Sequence, residues 1–233
     1  MATAYLHNHK EFKDLIQVVG DKYRIESALV EKDYWIMHVL YGLRKQGFNF
    51  ELKGGTSLSK GYKIINRFSE DIDIHIKPPS QLKVEENPNK EKDSHILSRK
   101  KFYDWLASAI KIDGIVSIER DKDFDDEKYR SGGVRLHYKN LFDPVEGLKP
   151  GILLEAGFDV VMPNEKLAIS SWAWDYAKET PGLSVLDNRA FGVKCYHPGY
   201  TFVEKLQTVA TKYRQEQTDG IERANYMRQY YDL

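Results

Sequence analysis

The stretch Lys53-Gly54-Gly55-Thr56-Ser57-Leu58-Ser59-Lys60, followed by Arg67-Phe68-Ser69-Glu70-Asp71-Ile72-Asp73-Ile74-His75-Ile76, decides how this chain reads. In its second half the period is two. Ile72, Ile74 and Ile76 share one face while Asp71, Asp73 and His75 share the other, the pattern of a strand buried on one side. Upstream, Phe48, Phe50 and Leu52 alternate with polar residues in the same way, and Gly54-Gly55 breaks that strand. Leu58, Tyr62 and Ile65 then space as a short helix.

Working outward, Phe12, Leu15, Ile16 and Val19 predict an amphipathic helix from Glu11 onward. A second helix spans Ser27 to Lys45, with Ile36, Val39, Leu40 and Leu43 on one face and Gly47 at its C-terminal cap. Past Pro78-Pro79, the polar residues up to Ser94 read as a mobile excursion. A helix over Ile96–Ile110 and strands over Gly114–Glu119 and Gly133–Lys139 follow. Another strand covers Ile152–Val160, with Glu155 and Asp159 on one face and Ile152, Leu154, Ala156, Phe158 and Val160 on the other. After Pro163 the pattern turns helical. Thr201 and Glu204 form a T-x-x-E capping box, opening a helix with the apolar stripe Phe202, Leu206, Val209 and Tyr213. A last helix carries Met227, Tyr230 and Tyr231. The expected class is α+β (α/β): N-terminal helices, a mixed sheet with intervening helices, and a C-terminal helical bundle. Residues 1–163 and 164–233 are the expected domains.

Composition narrows the function. Hydrophobic residues make up 41% of the 233, enough for a real core, so global disorder is excluded. The single cysteine, Cys195, excludes a disulfide framework or a cysteine-based zinc site within one chain. No apolar run is long enough for a spanning helix and the N-terminus does not have a signal-peptide layout, so the expectation is a soluble cytoplasmic protein with no membrane partner. The 35 basic and 35 acidic residues sum to zero, but they are not evenly mixed. From Tyr41 to Arg67 the bases are Arg44, Lys45, Lys53, Lys60, Lys63 and Arg67 against the lone acid Glu51. Glu119–Lys128 carries six acids against three bases and reads as a solvated loop. A basic rim beside acidic residues suits polyphosphate and RNA.

The chemistry concentrates where the glycine turn meets the acidic strand. Two glycines after a strand let backbone N–H groups approach an anion, and the following helix points its positive end there. Thr56 can cap that helix and offer its hydroxyl to a phosphate. Asp71 and Asp73, roughly 6.5–7 Å apart along one strand face, can hold one or two Mg²⁺ ions bridging to phosphates. Each piece alone is also a plain turn or a solvated strand face; in combination they are the parts that phosphoryl or nucleotidyl transfer needs. The run Gly55–Gly61 is not a P-loop, because Lys60 and Gly61 stand in the wrong order.

Lys53–Lys60 and Arg67–Asp73, with Val30-Glu31-Lys32-Asp33-Tyr34-Trp35 upstream, resemble the signature of the AbiEii/AbiGii toxin family of nucleotidyltransferases, a family similar in fold to polymerase-β-type enzymes. The resemblance implies Mg²⁺-dependent transfer of a nucleotide from an NTP to an RNA acceptor such as tRNA. It also implies a place in a bacterial toxin–antitoxin or phage-defence pair, with a cognate antitoxin as partner. On this chain it assigns Gly54, Gly55 and Thr56 to the triphosphate and Asp71 and Asp73 to the metal. Glu155 becomes the third acid, also a metal ligand, with Asp159 as its understudy. Lys60 and Arg67 are candidates to neutralise the triphosphate, while Lys63 reads as a solvated charge. The family's lysine early in a helix falls on Lys205, about 60° from the centre of the apolar stripe. Its terminal aspartate falls on Asp232 in Tyr230-Tyr231-Asp232. The family's helical domain runs on past that motif, which implies a short or truncated member here.

Two other functions compete. Glu51-x-Lys53 with Asp33 resembles a restriction-type nuclease set, though it leaves Gly54-Gly55-Thr56 and Asp71-x-Asp73 unexplained. A non-catalytic nucleotide-binding module of the same fold is the other, and γ-phosphoryl transfer is a third outcome on the same parts. His75 reads as an ordinary strand histidine, and His7 and His9 as terminal residues rather than a metal pair.

Overall fold

The computed structural model describes residues 4–159 and 161–222. Helix α1 (Phe12–Tyr23) buries Phe12, Ile16 and Val19 and stops where Arg24 turns left-handed. Helix α2 (Ser27–Lys45) is buried along most of its length and on most sides, as expected of a helix through the centre of a domain. Its buried residues include Glu31, Lys32, Asp33 and His38 among the apolar ones. Strand β1 (Phe50–Lys53) leads into the short helix α3 (Gly54–Thr56), which continues as a π-helical turn over Ser57–Tyr62. Then follow β2 (Asp71–Ile76), α4 (Asp93–Ala109), β3 (Ile115–Asp121), β4 (Ser131–Tyr138) and β5 (Ile152–Gly157). The chain goes on through β6 (Asn164–Ile169), α5 (Trp172–Ala177), β7 (Ala190–Tyr196) and α6 (Pro198–Asp219).

The strands form one mixed sheet in the order β3-β4-β5-β2-β1-β7-β6. Strand β2 lies at its centre, parallel to β5 and antiparallel to β1. The alternation read from the sequence holds there: Ile72, Ile74 and Ile76 are fully buried, and Asp71, Asp73 and His75 are half-buried. The three isoleucines join one core with Ile36, Val39, Leu40 and Leu43 of α2 and with Phe102 and Leu106 of α4. Burial of each such side chain contributes about 1.5–3 kcal/mol. That leaves the opposite face of β2 for polar chemistry.

Four expectations are corrected. The helical character expected after Pro163 does not begin there. β6 and β7 extend the sheet, β7 lying parallel to β1 with Glu51 opposite Lys194 and Leu52 opposite Cys195. The last helix opens at Pro198, not at a Thr201–Glu204 capping box: His197 caps it through Nδ1, which accepts from Gly199 N at 3.2 Å. Thr201 is buried inside the first turn, and Glu204 instead accepts from Tyr196 Oη at 3.0 Å. The expected stripe is also reversed, with Phe202, Leu206 and Tyr213 exposed and only Val209 buried. The polar excursion before α4 is tied down by fully buried Arg99, which donates to the carbonyls of Lys90 and Lys128 at 3.0–3.2 Å. Val160 and the segment holding Met227, Tyr230, Tyr231 and Asp232 lie outside the described residues.

Because Ile74 sits at the centre of this core, Ile74→Ala should cost about 2–5 kcal/mol in urea unfolding. Val116→Ala, on the edge strand and 67% exposed, should stay within about 0.5 kcal/mol.

Candidate active site

Strand register brings the acids together. On β2, Asp73 lies opposite Lys53 of β1 on one side and Glu155 of β5 on the other, and Asp71 lies opposite Leu153. Immediately after Lys53, Gly54 adopts φ +70°, and a Cβ there would stand 2.1 Å from Asp73 Oδ2. Both facts demand glycine, and they press the turn's backbone against the carboxylate. At Gly55 a Cβ would meet Ser69 Oγ at 2.6 Å and the Arg67 guanidinium at 2.8 Å. Thr56 is buried, and its hydroxyl donates to the Asp71 carbonyl at 2.5 Å. The hydroxyl that the sequence offers to phosphate is thus engaged in fastening the turn to β2.

A cleft of about 420 Å³ opens over these residues, lined by Lys53, Gly54, Asp73, Glu155, Asp159 and Lys205. Lys53 Nζ lies 2.5 Å from Asp159 Oδ2. Burial and then the adjacent Glu155 carboxylate push the Asp73 pKa up to about 7, against the pull of Lys53 and Lys205. Glu155 is raised as well, by burial first, with Lys53 and Lys149 pulling it back. Burial opposes the Lys53 ammonium, but Asp159 and Asp73 more than offset it, so Lys53 is held above the usual lysine range. Asp71 stands beside this pair, with Oδ2 accepting from Lys149 Nζ at 2.7 Å and Oδ1 buried without a hydrogen-bond partner.

Of the residues chosen from sequence, Gly54, Asp73, Glu155 and Lys205 line this cleft, with Asp71 at its side. Lys60 and Arg67 do not. They line a separate recess of about 260 Å³ with Asp33, Ser69 and Trp172, where Lys60 is ion-paired with buried Asp33. Asp33 also accepts from Trp172 N at 2.9 Å, at the start of α5. The nuclease set is dispersed: Glu51 is held by His75 at 2.8 Å and Lys194 at 3.0 Å, and Asp33 belongs to the other recess. His75 is accounted for by that pairing. Lys53 and Lys149 are further site cations: Lys53 stood in the sequence as part of the basic stretch and of the nuclease set, whereas nothing local marked Lys149.

Among the described residues no group of three or more His, Cys, Asp or Glu side chains is placed to hold a metal ion. The available hard-oxygen donors are Asp71 and Asp73 with Glu155 alongside. A magnesium ion characteristically takes one or two carboxylates and completes its shell from substrate phosphates and water, so this donor set fits it. The buried, unpartnered Asp71 Oδ1 fits the same role.

Residues 38–233 match the family model described as nucleotidyl transferase AbiEii toxin, type IV toxin–antitoxin system. The chain belongs to the AbiEii family. The family's description makes it a nucleotidyltransferase toxin family, in agreement with the resemblance carried by Lys53–Asp73. Among solved structures, MenT4, a nucleotidyltransferase toxin from Mycobacterium tuberculosis H37Rv, shares the fold with a TM-score of 0.51 at 17% identity. That similarity covers 83% of this chain and 58% of MenT4. No curated protein matches the sequence. Among the described residues no helix is long and apolar enough to cross a membrane.

The raised Asp73 pKa has a consequence for stability. Between the ordinary value of 3.8 and about 7 the folded protein keeps a proton that the unfolded chain has lost. This contribution to stability is complete below about pH 4 and is lost as pH rises through 7. Urea unfolding across that window should show stability declining with pH in the wild type and a flatter profile in Asp73→Asn. An unchanged slope in the variant would assign the proton to another group.

Proposed function

We propose that this chain transfers a nucleotide from an NTP to a hydroxyl of an RNA acceptor, tRNA being the acceptor class in view, in a Mg²⁺-dependent reaction. We propose further that it acts as the toxin of a pair whose cognate antitoxin is its partner. The observation that carries the reading is the Asp73–Glu155 register pair pressed against the Gly54 turn. A phosphate-sized anion brought to the Gly54-Gly55 backbone meets main-chain N–H groups on one side and carboxylates on the other, and only a cation between them makes that arrangement favourable. When bound by Asp71 and Asp73, with Glu155 completing the set, magnesium would supply that charge and polarise the α-phosphate.

The remaining steps fall to the chain itself. Gly54 and Gly55 let the turn's backbone pack against Asp73 and Ser69, so that its N–H groups meet the triphosphate beside the carboxylate, with Thr56 as the strut beneath the turn. Glu155 takes the proton of the acceptor hydroxyl as its oxygen bonds to the α-phosphorus and the bond to the pyrophosphate oxygen breaks. Lys205 offsets the charge that develops on the departing pyrophosphate. Lys60 and Arg67, in the adjoining recess, act from behind the turn through Gly55 and Asp33 rather than as direct ligands. Asp232 is retained as a nucleotide-binding candidate on the strength of the family motif.

Labelled NTPs, each incubated with total RNA with and without Mg²⁺, test this. RNA should gain a whole nucleotide only with Mg²⁺, and Asp71→Asn and Asp73→Asn should each reduce labelling at least about a hundredfold. RNA that shortens without NTP would mean a nuclease, and a mass gain of one phosphate would mean γ-phosphoryl transfer. Either outcome overturns the proposal.

A further inference from the structure

Lys149 belongs to none of the sequence motifs, yet its backbone is held at both polar atoms. Its N–H donates to Glu70 Oε2 at 3.0 Å, and its carbonyl accepts from Lys32 Nζ at 2.6 Å. Lys32 Nζ also donates to that same Glu70 Oε2 at 3.0 Å, closing a ring around a lysine that is 1% exposed. The neighbouring Pro150 carbonyl accepts from Arg135 Nη1 at 2.7 Å, and Arg135 is itself paired with Asp121. Gly151 follows at φ +59°, where a Cβ would stand 2.5 Å from the Leu136 carbonyl, so the turn admits only glycine. Charged partners on one side and a sterically closed turn on the other fix the path of residues 149–151.

That path delivers Lys149 Nζ to 2.7 Å from Asp71 Oδ2, with the Phe124 ring 4.9 Å from the ammonium. One Asp71 oxygen is thereby neutralised by a cation of the chain itself, while Oδ1 is buried without a hydrogen-bond partner. A carboxylate in that state has room for one further cation, but that cation must approach against the lysine's positive charge. We propose that Lys149 is a tethered counter-cation of Asp71 that competes with divalent metal for this carboxylate and so holds off metal that arrives without nucleotide. The proposal rests on the reading of Asp71 and Asp73 as the metal mount. It gives Lys32 and Glu70 a function, since together they aim the competing charge.

The test measures Mn²⁺ affinity in the full chain without nucleotide, by electron paramagnetic resonance of the free ion. Lys149→Met should bind Mn²⁺ about three- to tenfold more tightly than wild type, and Lys149→Arg, which keeps the charge, should stay near wild type. Melting temperatures in EDTA report folding, and Lys149→Gln replaces the Met variant if that one does not fold. Mn²⁺ should also raise the melting temperature more in the neutral variants than in wild type. Unchanged or weaker Mn²⁺ binding in the neutral variants overturns the inference. If that happens while Asp71→Asn still abolishes wild-type binding, the metal mount survives without it. Absence of Mn²⁺ binding in wild type and neutral variants alike removes the metal mount itself, and the inference with it.

Discussion

Three consecutive charged residues inside a buried helix set the terms for the rest of the molecule. Glu31, Lys32 and Asp33 of α2 are each at most 2% exposed, and a buried charge without a partner costs several kcal/mol. Each is satisfied by a different part of the chain. Glu31 accepts from Leu141 N with both oxygens at 3.1 Å, and burial still pushes its pKa up to about 7. Lys32 holds Glu70 and the carbonyl of Lys149, and Asp33 holds Lys60 and the first turn of α5. Because the three point in successive directions around one helix, they gather the β4–β5 loop, the approach to β2 and the start of α5 about a common axis. Segments that share no secondary structure are thereby fixed relative to the acidic strand.

The site built on that frame runs against electrostatic comfort. Like charges opposite one another on neighbouring strands are destabilising, yet Asp73 and Glu155 are register partners, with Asp71 two residues away on the same face. Lys53, Lys149 and Lys205 stand around them, and even so the pKa of Asp73 remains near neutrality. Burial first, and Glu155 next, hold the Asp73 carboxyl up, and a group shifted in this way at the wall of a cleft marks a candidate functional site. The Gly54 backbone closes the remaining side, so an incoming group must pass through the cleft.

How much of this was legible beforehand depends on whether the signal was local. The isoleucine–aspartate alternation of β2 and the Glu155 face of β5 need only period two, so both could be read from the sequence. The pairing of Asp73 with Glu155 and Lys53 could not, because register between distant strands is set by tertiary packing. β6 and β7 were missed for specific reasons. β6 is an edge strand with little to bury, and in β7 Gly192 at φ +64° interrupts the pattern around Val193 and Cys195. The opening of α6 is marked by Pro198 in the first turn, a position where proline is favoured, and the T-x-x-E pattern lies inside the helix rather than at its start. Three adjacent charges at Glu31–Asp33 in an otherwise apolar helix were themselves a sign of buried pairing, although their partners are 27 to 139 residues away.

Helix α6 shows why periodicity alone misled. The usual rule turns the apolar stripe of a helix toward the core, and it assumes that the core is apolar. The surface α6 meets is the polar cleft, which Thr201, Glu204, Lys205 and Thr208 line, while Phe202, Leu206 and Tyr213 face outward. Lys205 pulls against the rise of the Asp73 carboxyl, and a leucine in its place would leave the Asp73 charge less compensated. The polar demand of the cleft therefore outweighs the hydrophobic demand of the helix. That is why Lys205, about 60° from the centre of the apolar stripe, faces the cleft while most of the stripe does not.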